Sequence, residues 1–392
     1  QELLLRGRLV AGGRLVDDGL VVTRGDRVAF AGPAAGWDGV LPPVAPDRLL
    51  LPGLVDVHCH GGGGASFPDD DLAGVATAIA AHRRQGTTTL VASLVSAPVE
   101  VLRTRLELLA PLVAAGELAG VHLEGPFLSP AQRGAHDPGA LLPPDPDVLR
   151  ELLAGAPGTV VSMTLAPELP RAGELVKVLR AHGVLPSFGH TDADAMTVTT
   201  AIRSAAGTGR LSATHLFNAM APFASRAPGP VAACLAAAAR GELVVELIAD
   251  GVHLDPQTVA TVFDLAGPDH IALVTDAMAA AGMADGDYQL GALPVRVAGG
   301  TARLAGPDGG TGAIAGGTAR LVDVLRCTVR DAGVPLLPAV LAATRTPAML
   351  LGRFPQVGEL IPGARADVLV TDPDLVPVAV LRGGAWVDRE ES

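Results

Sequence analysis

At 392 residues, 49% hydrophobic and 18% charged, the chain can bury a barrel-sized core beside a smaller module and reads as a globular protein. A formal net charge of −12 argues against a nucleic-acid or anionic-membrane partner, because phosphate-rich surfaces demand a basic face. Three scattered cysteines, Cys59, Cys234 and Cys327, support neither a disulfide framework nor a zinc knuckle, so a reducing cytoplasm is the expected compartment. The apolar stretches are shorter than a membrane span, and no export or anchoring signal is read at the N-terminal end.

Residues 1–50 read as short alternating strands. Gly19–Arg24 and Arg27–Gly32, joined across Gly25-Asp26, carry the signature of a two-residue hairpin. From residue 51 the rhythm changes to apolar run, polar or Gly-containing loop, helical stretch, and next apolar run. Eight such runs end near His60, Leu94, Glu124, Pro167, His190, His215, His253 and Asp276. The intervening helices include 72–85, 98–115, 145–154, 172–182 and 255–266. Eight β/α repeats predict an α/β fold, a closed (β/α)8 TIM barrel whose chemistry sits at the C-terminal ends of its strands. A Gly-rich segment, Gly282 to Gly317, is a candidate lid or binding loop whose tip closes over substrate, and helices follow at 318–332 and 336–352. From about residue 355 the alternation returns in 366–371 and 376–381. The three predicted segments are therefore 1–50 and 355–392, pairing into one discontinuous β-sandwich, and 51–354, the barrel.

The chemistry gathers at the ends of those runs. In a strand, residues i and i+2 face the same way, so His58 and His60 turn toward the barrel axis together while Cys59 points away; two imidazoles so placed chelate one divalent ion. Glu124 ends its run before Gly-Pro, where a buried carboxylate needs a counter-charge that a metal supplies or, in the alternative, a surface arginine. His190 and His215 end the fifth and sixth runs. Asp276 closes the eighth, where a carboxylate beside an activated water serves as general base and then general acid, unless it merely caps a helix over 277–281. His253 is placed to polarise a carbonyl by hydrogen bonding. His122 shares a face with Glu124 and stays open as a ligand, His270 reads as structural, and His82 and His182 read as cations at helix C-termini.

The strings Pro52-Gly-Leu-Val-Asp-Val-His-Cys-His-Gly, His122-Leu-Glu-Gly-Pro-Phe, Gly189-His-Thr, Thr214-His-Leu-Phe-Asn-Ala-Met, Ala249-Asp-Gly-Val-His, Val274-Thr-Asp-Ala and Gly363-Ala-Arg-Ala-Asp, in this order, resemble the amidohydrolase superfamily across nearly the whole chain. The resemblance implies metal-dependent removal of the acetyl group from N-acetylglucosamine 6-phosphate. It implies that Glu124, His190 and His215 hold the principal ion, that Asp276 is the catalytic acid/base, and that His253 contacts the substrate amide. Ala135, His136, Asn218, Ala219, Arg226, Ile314, Ala315 and Gly316 are implied as contacts to the sugar phosphate. In similar enzymes the arginine reaches across a dimer interface, so a homodimer is expected; the alternative is a solvated loop arginine. Some relatives lack the His-x-His pair and use a single ion, whereas His58 and His60 allow a second, bridged through Glu124. Imidazole and carboxylate ligands suit zinc foremost and also iron, cobalt or manganese.

Two rival readings are weaker. Cyclic-amide hydrolases of the hydantoinase or dihydroorotase type usually need a carboxylated lysine at the metals, and this chain offers only Lys177, inside a helical pattern. A non-catalytic scaffold typically loses ligands or the acid/base, and here every such position is filled. An enzyme for the galactosamine epimer differs by the orientation of one hydroxyl and stays open.

Overall fold

The computed structural model describes the whole chain except residues 1, 46, 68–70, 206, 208, 307–309 and 389–392, and only the backbone of Thr311. Eight parallel strands, Leu54–Asp56, Thr87–Val95, Gly120–Glu124, Val160–Leu165, Leu185–Phe188, Ser212–Ala213, Val244–Leu247 and Ile271–Leu273, pair in chain order. The last meets the first beyond their regular ends, where Asp276 N–H donates to His58 O at 2.9 Å and His60 N–H to Ala277 O at 2.7 Å. The result is the expected barrel. Its strands are buried on both faces, which is why Thr87–Val95 shows no exposed position and reads as a continuous run rather than an alternation.

The helices form where an amphipathic stripe can cover the barrel. Helix Ala172–Ala181 buries Ala172, Leu175, Val178 and Leu179, the spacing of one helical face, and truncating Leu175 to alanine is expected to cost about 2–5 kcal/mol. Starts are set by caps: Asp71 accepts from Ala73 and Gly74, Asp145 from Asp147, and Asp255 from Gln257, the last two ahead of a proline preorganised for the first turn. The predicted helix 336–352 is two helices, Leu336–Ala343 and Arg345–Leu350, broken at non-helical Thr344; Pro347 cannot donate in a continuous ladder but is tolerated in a first turn.

Both termini join one seven-stranded sheet. Glu2–Ala11 pairs antiparallel with Arg14–Arg24, which pairs through the Gly25-Asp26 turn with Arg27–Pro33. On the other side Leu49–Pro52 runs parallel to the first strand and antiparallel to Val368–Thr371, which leads to Pro377–Arg382 and Ala385–Trp386. Strand Leu49–Pro52 continues through Gly53 into the first barrel strand. A Cβ at Gly53 would stand 2.1 Å from Thr88 Oγ1, so only glycine lets sheet and barrel meet there.

The Gly-rich stretch is not a loop. Gly286–Leu290, Leu293–Ala298, Thr301–Ala305 and Thr311–Ile314 form a four-stranded antiparallel meander. Its glycines, Gly291, Gly299 and Gly300, stand at positive φ in two-residue hairpin turns, so they punctuate strands rather than loosen them. Leu290, Val295, Val297 and Ala302 pack on Val95 and Met278, fixing the meander on the barrel mouth. Residues 307–309, within the segment expected to close over substrate, lie outside the described residues. Among the described residues no helix is long and apolar enough to cross a membrane.

Candidate metal centre

At the C-terminal ends of the barrel strands the chain turns sharply, and the turning residues carry the donors. His190, His215 and Asp276 adopt φ of 49°, 26° and 46°, a region that costs a non-glycine residue about 1–3 kcal/mol and persists only where the surroundings enforce it. These residues lie two or three positions beyond the regular strands. The seventh run is the exception: its strand stops at Leu247, and His253 lies six residues on, in a turn whose backbone N–H groups at 252 and 253 are taken by Asp250 Oδ1.

Two donor groups share Glu124. His58, His60, Glu124 and Asp276 form one, and Glu124, His190 and His215 the other, with donor atoms in each within 4.8 Å of one another. Glu124 Oε1 is 3.0 Å from Nε2 of both His190 and His215, while Oε2 is 3.1 Å from His60 Nε2. Asp276 Oδ1 lies 3.3 Å from His58 Nε2 and 3.2 Å from His60 Nε2. The sequence alternative of a surface Glu124–arginine pair falls away, since the residue is 3% exposed and its partners are imidazoles. No helix follows Asp276 for it to cap.

The opposite ring nitrogens decide what these imidazoles can do. His58 Nδ1 faces Glu246 Oε2 at 3.1 Å, His60 Nδ1 faces Ser93 O at 3.1 Å, and His190 Nδ1 faces Gln132 O at 2.9 Å. Each partner only accepts, so each Nδ1 carries the proton and each Nε2 presents its lone pair to the cluster, the arrangement of ligating histidines. His136 is inverted. Its Nδ1 accepts from Ser96 N–H at 3.2 Å, leaving Nε2–H to donate to Glu124 Oε2 at 3.3 Å, so it is a hydrogen-bond donor at the edge of the centre. Burial drives its pKa down to about 4 against the pull of Glu124 and keeps that donor neutral.

Burial by itself would neutralise the acids, yet the imidazoles overcome it. Glu124 is held well below the carboxylate range by His58 and His136, and Asp276 by His58 and His60. Reciprocally, His58 and His60 are raised against their burial by those carboxylates. The cluster therefore demands positive charge at its middle. Its donor set, nitrogens and carboxylate oxygens with the outer nitrogens of His58, His60 and His190 hydrogen-bonded, fits a divalent cation.

The centre opens into a cavity of about 480 Å³, lined by His136, His253, Asn218, Ala219, Ala135, Ile314 and Gly316 of the expected contacts. Asn218 Nδ2 also donates to His215 O at 3.2 Å. Asp250 Oδ2 accepts from His253 Nδ1 at 2.8 Å and, with help from Asp276, raises its pKa against burial. Two expected contacts do not line the cavity: the Ala315 side chain is buried beneath the meander, and Arg226 is exposed on the loop after Phe223. His122 belongs to neither donor group, because its nitrogens are engaged by Ser93 Oγ at 3.0 Å and Thr164 Oγ1 at 2.8 Å. His182 does close its helix, with Nδ1 on Val178 O, but His82 is no cation at a helix end. It is buried, its pKa lowered chiefly by burial, and Nε2 donates to Gly61 O at 2.8 Å, tying its helix to the loop after His60. Lys177 is exposed on helix Ala172–Ala181, away from the centre.

Sequence reasoning missed Glu246, Ser93, Ser96 and the rim residues Gln132 and Arg133. For Glu246 a signal existed: a single acid inside the apolar run Leu243 to Ala249.

An eight-stranded parallel barrel with an imidazole and carboxylate cation site at its strand ends is an architecture suited to metal-assisted hydrolysis. The chain belongs to the Amidohydrolase family, whose profile matches residues 49–387. Among its relatives is the N-acetylglucosamine-6-phosphate deacetylase of Homo sapiens, 34% identical, with the alignment covering 98% of this chain and 92% of that one. The N-acetylgalactosamine-6-phosphate deacetylase of Escherichia coli O157:H7 is 33% identical over 84% and 85%. A solved structure of a mutant N-acetyl-D-glucosamine-6-phosphate deacetylase from Mycobacterium smegmatis, in complex with N-acetyl-D-glucosamine-6-phosphate, is 39% identical and superposes with a TM-score of 0.92 over 99% of this chain and all of that one.

Proposed function

We propose that the chain hydrolyses the acetamide of N-acetyl-D-glucosamine 6-phosphate to D-glucosamine 6-phosphate and acetate, a step of amino-sugar catabolism and cell-wall recycling. The observation that carries this reading is the convergence of three imidazole Nε2 atoms, from His60, His190 and His215, on the two oxygens of one buried carboxylate, Glu124. Glu124, His190 and His215 hold the principal ion, zinc before iron, cobalt or manganese, and His58 and His60 with Glu124 hold a second. A divalent cation there supplies Lewis-acid chemistry, acidifying water and polarising a carbonyl oxygen.

The residues do the rest. Asp276, held ionised beside the cluster, takes a proton from the attacking water and returns it to the departing amine nitrogen as the carbon–nitrogen bond breaks. His253, fixed by Asp250, orients the acetamide and stabilises negative charge on its oxygen, while His136, whose Nε2–H is taken by Glu124, borders the sugar phosphate. Ala135, Asn218, Ala219 and the Ile314-Ala315-Gly316 turn frame the sugar. Arg226, too far out to line its own cavity, grips the phosphate of the neighbouring subunit in a homodimer. The barrel, 51–354, and the terminal module, 1–50 with 355–392, are the two domains, and the free cysteines fit a cytoplasmic enzyme.

The test is removal and restoration of the ion while acetate release is followed from N-acetylglucosamine with and without the 6-phosphate. Activity that disappears with chelation, returns with zinc, and strongly prefers the phosphorylated sugar is expected; chelator-resistant turnover would refute the reading. The Escherichia coli relative favours one second reading, the galactosamine epimer, which the same assay with that sugar resolves.

A further inference from the structure

Glu246 lies on the seventh strand with its side chain inside the barrel, 5% exposed, while Val245 beside it packs outward. A carboxylate so buried costs several kcal/mol unless it is paired and hydrogen-bonded. A single oxygen, Oε2, makes both of its contacts to the centre. It accepts from His58 Nδ1 at 3.1 Å and from His215 N–H at 3.2 Å. His58 belongs to one donor group and His215 to the other, so one atom touches both halves from behind.

The alternatives at His58 make the contact consequential. With its proton on Nε2, the ring would aim N–H at His60 Nε2, 3.2 Å away, and offer no lone pair to the cluster. The carboxylate at Nδ1 forbids that tautomer, fixes the ring plane and makes Nε2 more basic. At His215 the bond falls on the backbone at φ 26°, a conformation that must be held from outside.

We propose that Glu246 is a positioning residue that builds the second cation position, setting the tautomer and orientation of His58 while anchoring the His215 turn to the same oxygen. This rests on the metal-centre reading above. Glu246 acts only through the two histidines. Its charge and its hydrogen bonds are separable: glutamine keeps an acceptor oxygen there, methionine keeps the bulk alone.

The experiment titrates the full-length, metal-stripped protein with zinc against a competing chelator, in wild type, Glu246→Gln and Glu246→Met, and records the visible spectrum of each cobalt-loaded protein. Wild type is expected to bind two ions. The second should weaken by about tenfold in Glu246→Gln and about a hundredfold in Glu246→Met, the range for lost outer partners of ligating histidines. The cobalt spectrum should change with it, while the first ion is retained. Wild-type affinity for the second ion in Glu246→Gln, which keeps shape and decides the matter should Glu246→Met not fold, would overturn the proposal. So would a wild type that takes only one ion. A wild type that takes none would instead defeat the metal-centre reading.

Discussion

His136 Nε2 stands 3.3 Å from Glu124 Oε2 while its Nδ1 takes the Ser96 N–H, so this imidazole offers the centre a proton rather than a lone pair. The donor is useful only while neutral on Nδ1, which its burial secures.

That burial has a consequence for stability. The His136 pKa falls from 6.5 to about 4 on folding, so the unfolded chain binds this proton more tightly. Its contribution is complete above pH 6.5 and is lost progressively as the pH falls toward 4, on the order of 3 kcal/mol in all. Urea unfolding of the metal-free protein at pH 7.5 and 5 should show a steeper loss in wild type than in His136→Gln. Equal losses would remove His136 from the account.

Asp276→Asn keeps the side chain's size and removes the base. Acetate release should fall by about 10²–10⁴-fold, the usual range for a positioned acid/base, with the ion at Glu124, His190 and His215 retained. Metal analysis beside the assay separates lost proton transfer from lost metal, and near-normal turnover would eliminate the assigned role.

Arg226 is testable in trans. If each subunit lends this residue to its neighbour, Arg226→Ala and Asp276→Asn are each impaired alone, but an equal mixture that exchanges subunits contains hybrids with one complete site. Recovery to roughly a quarter of wild-type activity is the expectation for random two-fold pairing. No recovery after verified exchange counts against the shared site.

Gly316 sits at φ +79°, and a Cβ there would stand 2.9 Å from Asp276 O and 3.2 Å from Met278 Cβ. Gly316→Ala should cost about 1–3 kcal/mol through the strained backbone and shift Asp276, lowering kcat more than it raises KM. Thermal unfolding and steady-state kinetics check both halves of that statement.

Much of this was legible in the chain because barrels repeat. The eight apolar runs announce their strands, and His58, His60, Glu124, His190, His215 and Asp276 sit close enough to the run ends for position alone to gather them. What stayed hidden depends on closure. Ser93 finds His60 only once the second strand stands beside the first, and Glu246 reaches His58 only once the barrel closes and the seventh strand faces into the same interior, a proximity with no local signature. His82 reads as a helix-end cation until its last turn packs on Gly61. The strands of the meander stay hidden because glycine at hairpin turns and glycine in a loop contribute the same composition.

The meander packs on Val95 and Met278 of the barrel and meets the cavity through Leu290, Ala313 and Ile314, while the cation donors all come from the barrel. The cation donors and part of the cavity wall are thus carried on different stretches of polypeptide. Exchanging 286–314 between relatives should redraw which sugars enter without disturbing how the amide is cut, making this insert the natural handle for redirecting the enzyme.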